Sequence, residues 1–138
     1  MENPRSIDVT AAVIHSTKGK MLLCCREGKL AGQWEFPGGK REAGETLPEC
    51  LRRELWEELG LNVPVGEKLG EEHLQTSEAL LKLHFFEAGP LEESMPVSSA
   101  VHSEVRWVTP EAVGQYPLCQ MDAAFWRRWE QTKASENR

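Results

Sequence analysis

The sequence has few of the features that mark membrane or secreted proteins. Its longest uninterrupted apolar run is the five residues Met21-Leu22-Leu23-Cys24-Cys25, whereas a membrane-spanning helix needs about 20. The N-terminal residues lack the apolar core of a secretory signal, so we expect a cytoplasmic protein with no membrane partner. The four cysteines follow neither a zinc-binding spacing nor a disulfide framework, and we expect all four to be reduced.

Basic residues are also scarce. The 138 residues include 16 Lys plus Arg against 22 Asp plus Glu, a net charge of -6, which argues against nonspecific binding to a nucleic acid polymer. The chain has only 8 Pro and 11 Gly, and 40% of its residues are apolar. This composition excludes collagen-like and wholly disordered chains. The length predicts one domain, residues 1–138, that needs no structural metal to fold. If the substrate carries phosphates, a divalent metal is the obvious means of offsetting their repulsion by the carboxylates of the site.

Several strand-like segments surround one well-marked helix. Apolar and β-branched runs predict strands at 7–15, 21–26, 34–36, 61–65, 80–88 and 101–108, with another around His73. The first two should form a hairpin, and Pro37-Gly38-Gly39 should end the third. Thr46 is expected to cap a helix, with Glu49 closing a capping box, and Gly60 to end it. A second amphipathic helix is predicted over 121–129. This order of elements predicts an α+β fold or a mixed sheet.

The predicted helix carries three glutamates on one face. Glu54, Glu57 and Glu58 fall within about 100° of arc on an ideal helix. Like charges at this spacing repel, and the usual interpretation is a solvated helix face. Here the neighbouring Leu51 and Leu55 should draw the edge of that face toward the core. Carboxylates gathered beside a buried face need a cation, and hard oxygen ligands suit Mg²⁺ or Mn²⁺.

These glutamates belong to a longer pattern over residues 39–61. Its fixed positions are Gly39, Glu45, Arg53, Glu54, Leu55, Glu57, Glu58, Gly60 and Leu61. The pattern resembles the signature box of the Nudix hydrolases, with every fixed position filled. The resemblance continues through 34–40 and 116–118 toward the MutT-like branch, which includes 8-oxo-dGTP diphosphatases and CTP pyrophosphohydrolases.

The resemblance implies an α/β/α sandwich around a mixed β-sheet and a Mg²⁺-dependent hydrolysis of nucleoside diphosphates linked to a further group. We expect a nucleoside triphosphate pyrophosphohydrolase that releases monophosphate and pyrophosphate from cytidine-type or oxidised purine nucleotides, as a monomer or homodimer. One alternative is a longer substrate such as ADP-ribose or a dinucleoside polyphosphate. A non-catalytic module that senses nucleotides is an alternative from another class.

The resemblance also assigns the metal site. Glu57 and Glu58 would ligate the metal, Glu54 would serve as ligand or general base, and the Gly38 carbonyl would complete the shell. Glu104 matches a late glutamate of MutT-like enzymes that serves as metal ligand or base, and its alternative is plain surface charge.

Other residues are expected to support the glutamates or contact the substrate. Arg53 is expected to hold the glutamates through charge-assisted hydrogen bonds, or else to form a simple helical ion pair. Glu45 is expected to brace the loop before the helix. Substrate contacts are expected at Arg26 and Lys40 for the phosphates, at Glu35 as a pocket wall, and at Gln120 or Asp122 for the base. No Asn stands near Gln120, which leaves room for a cytosine-type base read through its amino group. Structural or surface roles are expected for His15, His73 and His102.

Overall fold

A computed structural model describes residues 5–99 and 101–136 of the chain. Seven strands are present: β1 Ser6–Ser16, β2 Met21–Arg26, β3 Trp34–Glu35, β4 Gly38–Lys40, β5 Val65–Gln75, β6 Leu80–Leu91 and β7 His102–Val108. The helices of this part are α1 Leu47–Leu59, α2 Pro110–Val113 and α3 Gln120–Glu136.

Strand β1 is the centre of the sheet because it pairs with three other strands. It runs parallel to β6, from Ser6 opposite Leu80 onward, and antiparallel to β2 and β4. Strand β5 pairs antiparallel with β6, and β2 pairs antiparallel with β3 on one edge and with β7 on the other. Parallel and antiparallel neighbours in one sheet confirm the predicted mixed sheet of an α+β domain.

A hydrophobic core lies on each face of the sheet because side chains alternate along β1. On one face, the leucines of α1 pack against Ala12 and Ile14. On the other, Phe125 of α3 stacks on Phe85 with ring centroids 4.0 Å apart. The sheet is therefore covered by α1 on one side and α3 on the other, in agreement with the predicted layers.

Helix α1 is bounded by the capping residues that the sequence predicts. The N–H of Glu49 donates to Thr46 Oγ1 at 3.2 Å, and the Glu49 carboxylate accepts from the N–H of Thr46 at 2.8 Å. At the other end Gly60 has φ 65°, a left-handed conformation that glycine adopts at little cost. These caps set the position of every side chain on the helix.

Several local predictions were wrong. The strand predicted over 61–65 is absent, because residues 61–64 are irregular and β5 begins only at Val65. Leu61 and Val63 are buried in the core beneath α1. The third strand ends before Pro37 as predicted, but Gly38–Lys40 then forms a strand on β1 that was not predicted. The predicted hairpin of β1 and β2 is present but short: the strands pair antiparallel at His15 with Met21, and β3 pairs with β2 further along.

Two further observations concern the chain as a whole. Within the described residues, no helix combines the length and apolarity that crossing a membrane requires. All four cysteines are buried and free.

Candidate functional site

A cleft of about 880 Å³ is lined by β1, β4, the loop between β2 and β3, and the first turn of α3. Seven of the residues singled out in the sequence line it: Arg26, Glu35, Gly38, Lys40, Glu58, Gln120 and Asp122. All five residues expected to contact a substrate are in this group. The cleft lining does not include Arg53, Glu54, Glu57 or Glu104.

Glu58 presents an unsatisfied carboxylate. Its Oε2 atom is buried and has no hydrogen-bond partner. Burial, followed by repulsion from Glu54 and Glu35, raises the pKa of Glu58 to about 8. A buried carboxylate is costly unless a proton, a cation or hydrogen bonds offset its charge. This oxygen therefore fits a cation-binding position.

Arg53 connects the loop before α1 to the glutamates of the helix. Its Nε and Nη2 donate to the two carboxylate oxygens of Glu45 at 2.7 and 3.0 Å. Its Nη1 donates to Glu54 at 2.9 Å and to Glu57 at 3.0 Å, and Nη2 also reaches the Lys40 carbonyl at 3.1 Å. The hydrogen bond from Arg53 is the main reason that the pKa of Glu45 is lowered to about 2. One guanidinium thus fixes two of the three glutamates relative to β4.

The three glutamates of α1 do not converge on one point. Across residues 5–99 and 101–136, no group of three or more His, Cys, Asp or Glu side chains is assembled for a metal ion. The Glu57 side chain is 55% exposed, whereas that of Glu54 is 15% exposed. The shared helix face is therefore present without a preassembled ligand cluster.

The carbonyl of Gly38 is turned away from β1. The N–H of Ala12 donates to the Pro37 carbonyl at 2.7 Å, and Thr10 Oγ1 donates to the Gly39 carbonyl at 3.2 Å. Because carbonyl directions alternate along an antiparallel strand, the Gly38 carbonyl between them points to the opposite side. A methyl group on Gly38 would lie 1.9 Å from the Thr10 carbonyl oxygen, so only glycine fits. No side chain therefore covers the backbone of Gly38 and Gly39 where β4 lines the cleft.

Asp122 is buried at the start of α3 with its carboxylate in the cleft lining. Its Oδ2 accepts a hydrogen bond from the N–H of Phe36 at 3.0 Å. Burial raises the pKa of Asp122 to about 7, despite that hydrogen bond. Gln120, two residues earlier, is exposed on the same lining. Both candidates for base recognition therefore reach the cleft, and Asp122 is the more firmly placed.

Glu35 is held by two donors at the side of the cleft. Arg26 Nη1 lies 2.8 Å from Oε1, and His102 Nε2 lies 3.0 Å from Oε2. His102 itself is buried and lines the cleft, a role that the sequence analysis missed. No local pattern could reveal it, because the pairing of Arg26 with His102 depends on the register between β2 and β7, which shifts there.

Glu104 lies on β7, outside the lining of the cleft. Its carboxylate is exposed and paired with Arg106, on the part of β7 opposite Cys25. Arg106 in turn lies over the Trp34 ring, 5.2 Å from its centroid. Glu104 thus belongs to a surface cluster outside the cleft, and its role as metal ligand or base stays a prediction.

Comparison with known proteins gives consistent results. The family profile described as NUDIX domain matches residues 5–129. A relative named CTP pyrophosphohydrolase, from Escherichia coli (strain K12), is 36% identical over 120 residues, which cover 86% of this chain and 87% of the relative. A relative named 8-oxo-dGTP diphosphatase, from Proteus vulgaris, is 38% identical over 65 residues, which cover 46% of this chain and 58% of the relative.

Solved structures extend the similarity to nearly the whole chain. The crystal structure of MutT protein from Methanosarcina mazei Go1 is similar with a TM-score of 0.84 and 28% sequence identity. The match covers 96% of this chain and 99% of that chain.

Proposed function

The chain belongs to the Nudix family of hydrolases, and on that premise we propose that it is a nucleoside triphosphate pyrophosphohydrolase. Water is added across the phosphoanhydride between the α and β phosphates, that P–O bond breaks, and nucleoside monophosphate, pyrophosphate and a proton are released. The observation that carries the proposal is the cleft in which the unpartnered Glu58 carboxylate lies with the cations Arg26 and Lys40. Such a site combines a place for a metal with positive charge for a polyphosphate.

Nudix hydrolases generally work with a divalent metal ion, and we propose Mg²⁺, with Mn²⁺ as a substitute. Glu54, Glu57, Glu58 and the Gly38 carbonyl would hold it. When bound, the metal would offset the phosphate charge and acidify the attacking water. Glu54 and Glu57 each bind Arg53 through one oxygen, and the second oxygen is then available as a ligand.

The chain's own residues would divide the remaining work. Arg53 would orient Glu54 and Glu57, since it already holds both carboxylates and anchors them to β4. Arg26 and Lys40 would contact the phosphates, where the acidic cleft needs positive charge. A carboxylate of the α1 set would take the proton of the attacking water.

The base would be read by hydrogen-bond acceptors. Glu35 and Asp122 both line the cleft, with Gln120 beside them, and carboxylates accept hydrogen bonds from an exocyclic amino group. We propose that the preferred base is of the cytidine type. The relative named for CTP supports this, because its similarity spans 86% of the chain against 46% for the relative named for 8-oxo-dGTP.

The test is a Mg²⁺-dependent hydrolysis panel that resolves pyrophosphate from phosphate. It would include CTP, dCTP, 5-methyl-dCTP, dGTP, 8-oxo-dGTP, ADP-ribose and a dinucleoside polyphosphate. We expect cytidine-type triphosphates to give monophosphate and pyrophosphate. Preference for 8-oxo-dGTP would overturn the proposed base, and cleavage of ADP-ribose or the dinucleotide alone would overturn the proposed reaction.

Two variants would assign the site within the same panel. Glu58→Gln should abolish hydrolysis, whereas the control Glu111→Gln removes an exposed carboxylate outside the cleft and should leave it unchanged. Full activity of Glu58→Gln would contradict the proposed metal site.

We further propose that the enzyme acts on the cytoplasmic nucleotide pool, removing unwanted nucleotides as a monomer or homodimer. Light scattering of the purified protein would decide the oligomeric state, and a larger assembly would overturn that part.

A further inference from the structure

A chain of hydrogen bonds leads from the half-buried Ser99 to the side of the cleft. Ser99 Oγ lies 2.9 Å from His102 Nδ1, and His102 Nε2 lies 3.0 Å from Glu35 Oε2. Arg26 Nη1 closes the chain on the other oxygen of Glu35 at 2.8 Å. Neither Ser99 nor His102 has a part in the proposed function so far.

The contacts of Ser99 determine where the protons of His102 lie. Ser99 Oγ accepts the backbone N–H of Val101 at 3.3 Å and that of His102 at 3.0 Å. These two donors use both lone pairs of the hydroxyl oxygen, so its own proton is directed at His102 Nδ1. Nδ1 is therefore an acceptor, and the neutral ring carries its proton on Nε2, which donates to Glu35.

The hydrogen bond from His102 to Glu35 is shielded from solvent. The His102 side chain is 3% exposed and that of Glu35 is 19% exposed, so water has little access to their contact. Burial alone would raise the pKa of Glu35, but the hydrogen bonds from His102 and Arg26 together lower it below the usual value. Each donor occupies a different oxygen, which fixes the plane of the carboxylate and leaves lone pairs for a ligand.

We propose that His102, oriented by Ser99, is a positioning residue that holds Glu35 in the cleft as a hydrogen-bond acceptor for the substrate. This inference rests on the proposed function, because the substrate contact of Glu35 is assigned there. Without the imidazole donor, Glu35 keeps only Arg26, which is then free to draw the carboxylate toward itself.

The first experiment is independent of catalysis. Long-range ¹H–¹⁵N correlation of the histidine rings at neutral pH should show His102 as the Nε2–H tautomer. In Ser99→Ala the hydroxyl donor is gone, and the spectrum should shift toward a mixture of tautomers. An Nδ1–H tautomer in the wild type, or an unchanged spectrum in Ser99→Ala, would overturn the proposal.

The second experiment measures kinetics on the best nucleotide. His102→Leu removes the donor and should raise KM about tenfold with a smaller change in kcat, whereas His102→Gln retains an N–H near the Nε2 position and should recover most of the loss. Glu35→Gln combined with His102→Leu should be no worse than Glu35→Gln alone, because the two act through one contact. His15→Leu, at a histidine outside the cleft, is the control and should leave KM unchanged.

The outcomes separate the two proposals. If His102→Leu lowers the melting temperature but leaves KM unchanged, or if its effect adds to that of Glu35→Gln, His102 has only a structural role and the inference fails. If the wild-type protein hydrolyses none of the nucleotides, the proposed function fails, while the tautomer measurement still decides whether His102 donates to Glu35.

Discussion

Gly39 and Glu54 are packed so closely that no side chain fits between them. A methyl group on Gly39 would lie 2.3 Å from the carboxyl carbon of Glu54. Gly39→Ala must therefore displace this carboxylate, which lies at the end of a flexible side chain. We expect kcat to fall by about 10- to 100-fold, as when the support of a metal ligand is lost, with little loss of stability. Steady-state kinetics and urea unfolding on the same preparation would check both parts.

The neighbouring Gly38 provides the contrasting variant. Its methyl group would meet the backbone carbonyl of Thr10 at 1.9 Å, and backbone in the centre of a sheet cannot move aside. Gly38→Ala should therefore unpair β4 from β1 and lower the free energy of unfolding by at least about 2 kcal/mol. Equal stability of the two variants would contradict this distinction.

Replacement of Arg53 by lysine should impair catalysis despite conserved charge. Lysine cannot reproduce the two parallel bonds to Glu45 together with those to Glu54 and Glu57. We expect kcat for Arg53→Lys to fall by about 10- to 100-fold while KM changes less. Arg52→Lys, at the adjacent exposed arginine, is the matched control. Wild-type kcat in Arg53→Lys would show that the glutamates need no such anchor.

Asp122 should make the stability of the protein depend on pH. Its pKa is raised from 3.8 to about 7 by burial, so the folded state retains a proton that the unfolded state releases. The stabilising effect is complete below pH 3.8 and is lost as pH rises toward about 7. The free energy of unfolding of Asp122→Asn should therefore decrease less over this pH range than that of the wild type. Urea titrations at several pH values would measure the difference. An unchanged slope would show that Asp122 is ionised when folded throughout.

Binding of Mg²⁺ should reverse the order of stability of the wild type and Glu58→Gln. Without metal, the buried Glu58 carboxylate has a pKa of about 8, so above that pH Glu58→Gln should be at least as stable as the wild type. With Mg²⁺ at 100 times its dissociation constant, the wild type should gain about 2.7 kcal/mol by mass action. Glu58→Gln should gain much less. Melting curves with EDTA and with Mg²⁺ would test this, and equal gains would argue against Glu58 as a ligand.

The sequence predicts best those features that depend on neighbouring residues. Thr46, Glu49 and Gly60 bound α1 as expected because capping is local. The mixed sheet also follows from the order of the elements. Gly38–Lys40 was misjudged because glycines favour turns in general, whereas here close approach to the backbone of β1 requires them.

The site was predicted less completely, since its parts meet through tertiary contacts. The five predicted substrate residues do line one cleft. The spacing of the glutamates could not show that Arg53 binds two of them, Glu54 and Glu57. The sequence also could not show that His102 lies beside Glu35, because a shift in strand register decides which side chain of β7 faces the cleft.

The contact between Asp122 and Phe36 has a consequence for the order in which the protein is made. Synthesis supplies β4 and the glutamates of α1 within the first 60 residues, but Asp122 follows Phe36 by 86 residues. A growing chain therefore carries Glu35 and the residues proposed for hydrolysis well before it carries Asp122, the second carboxylate proposed to contact the base. On the ribosome, the proposed base contacts are complete only after α3 has begun to be made.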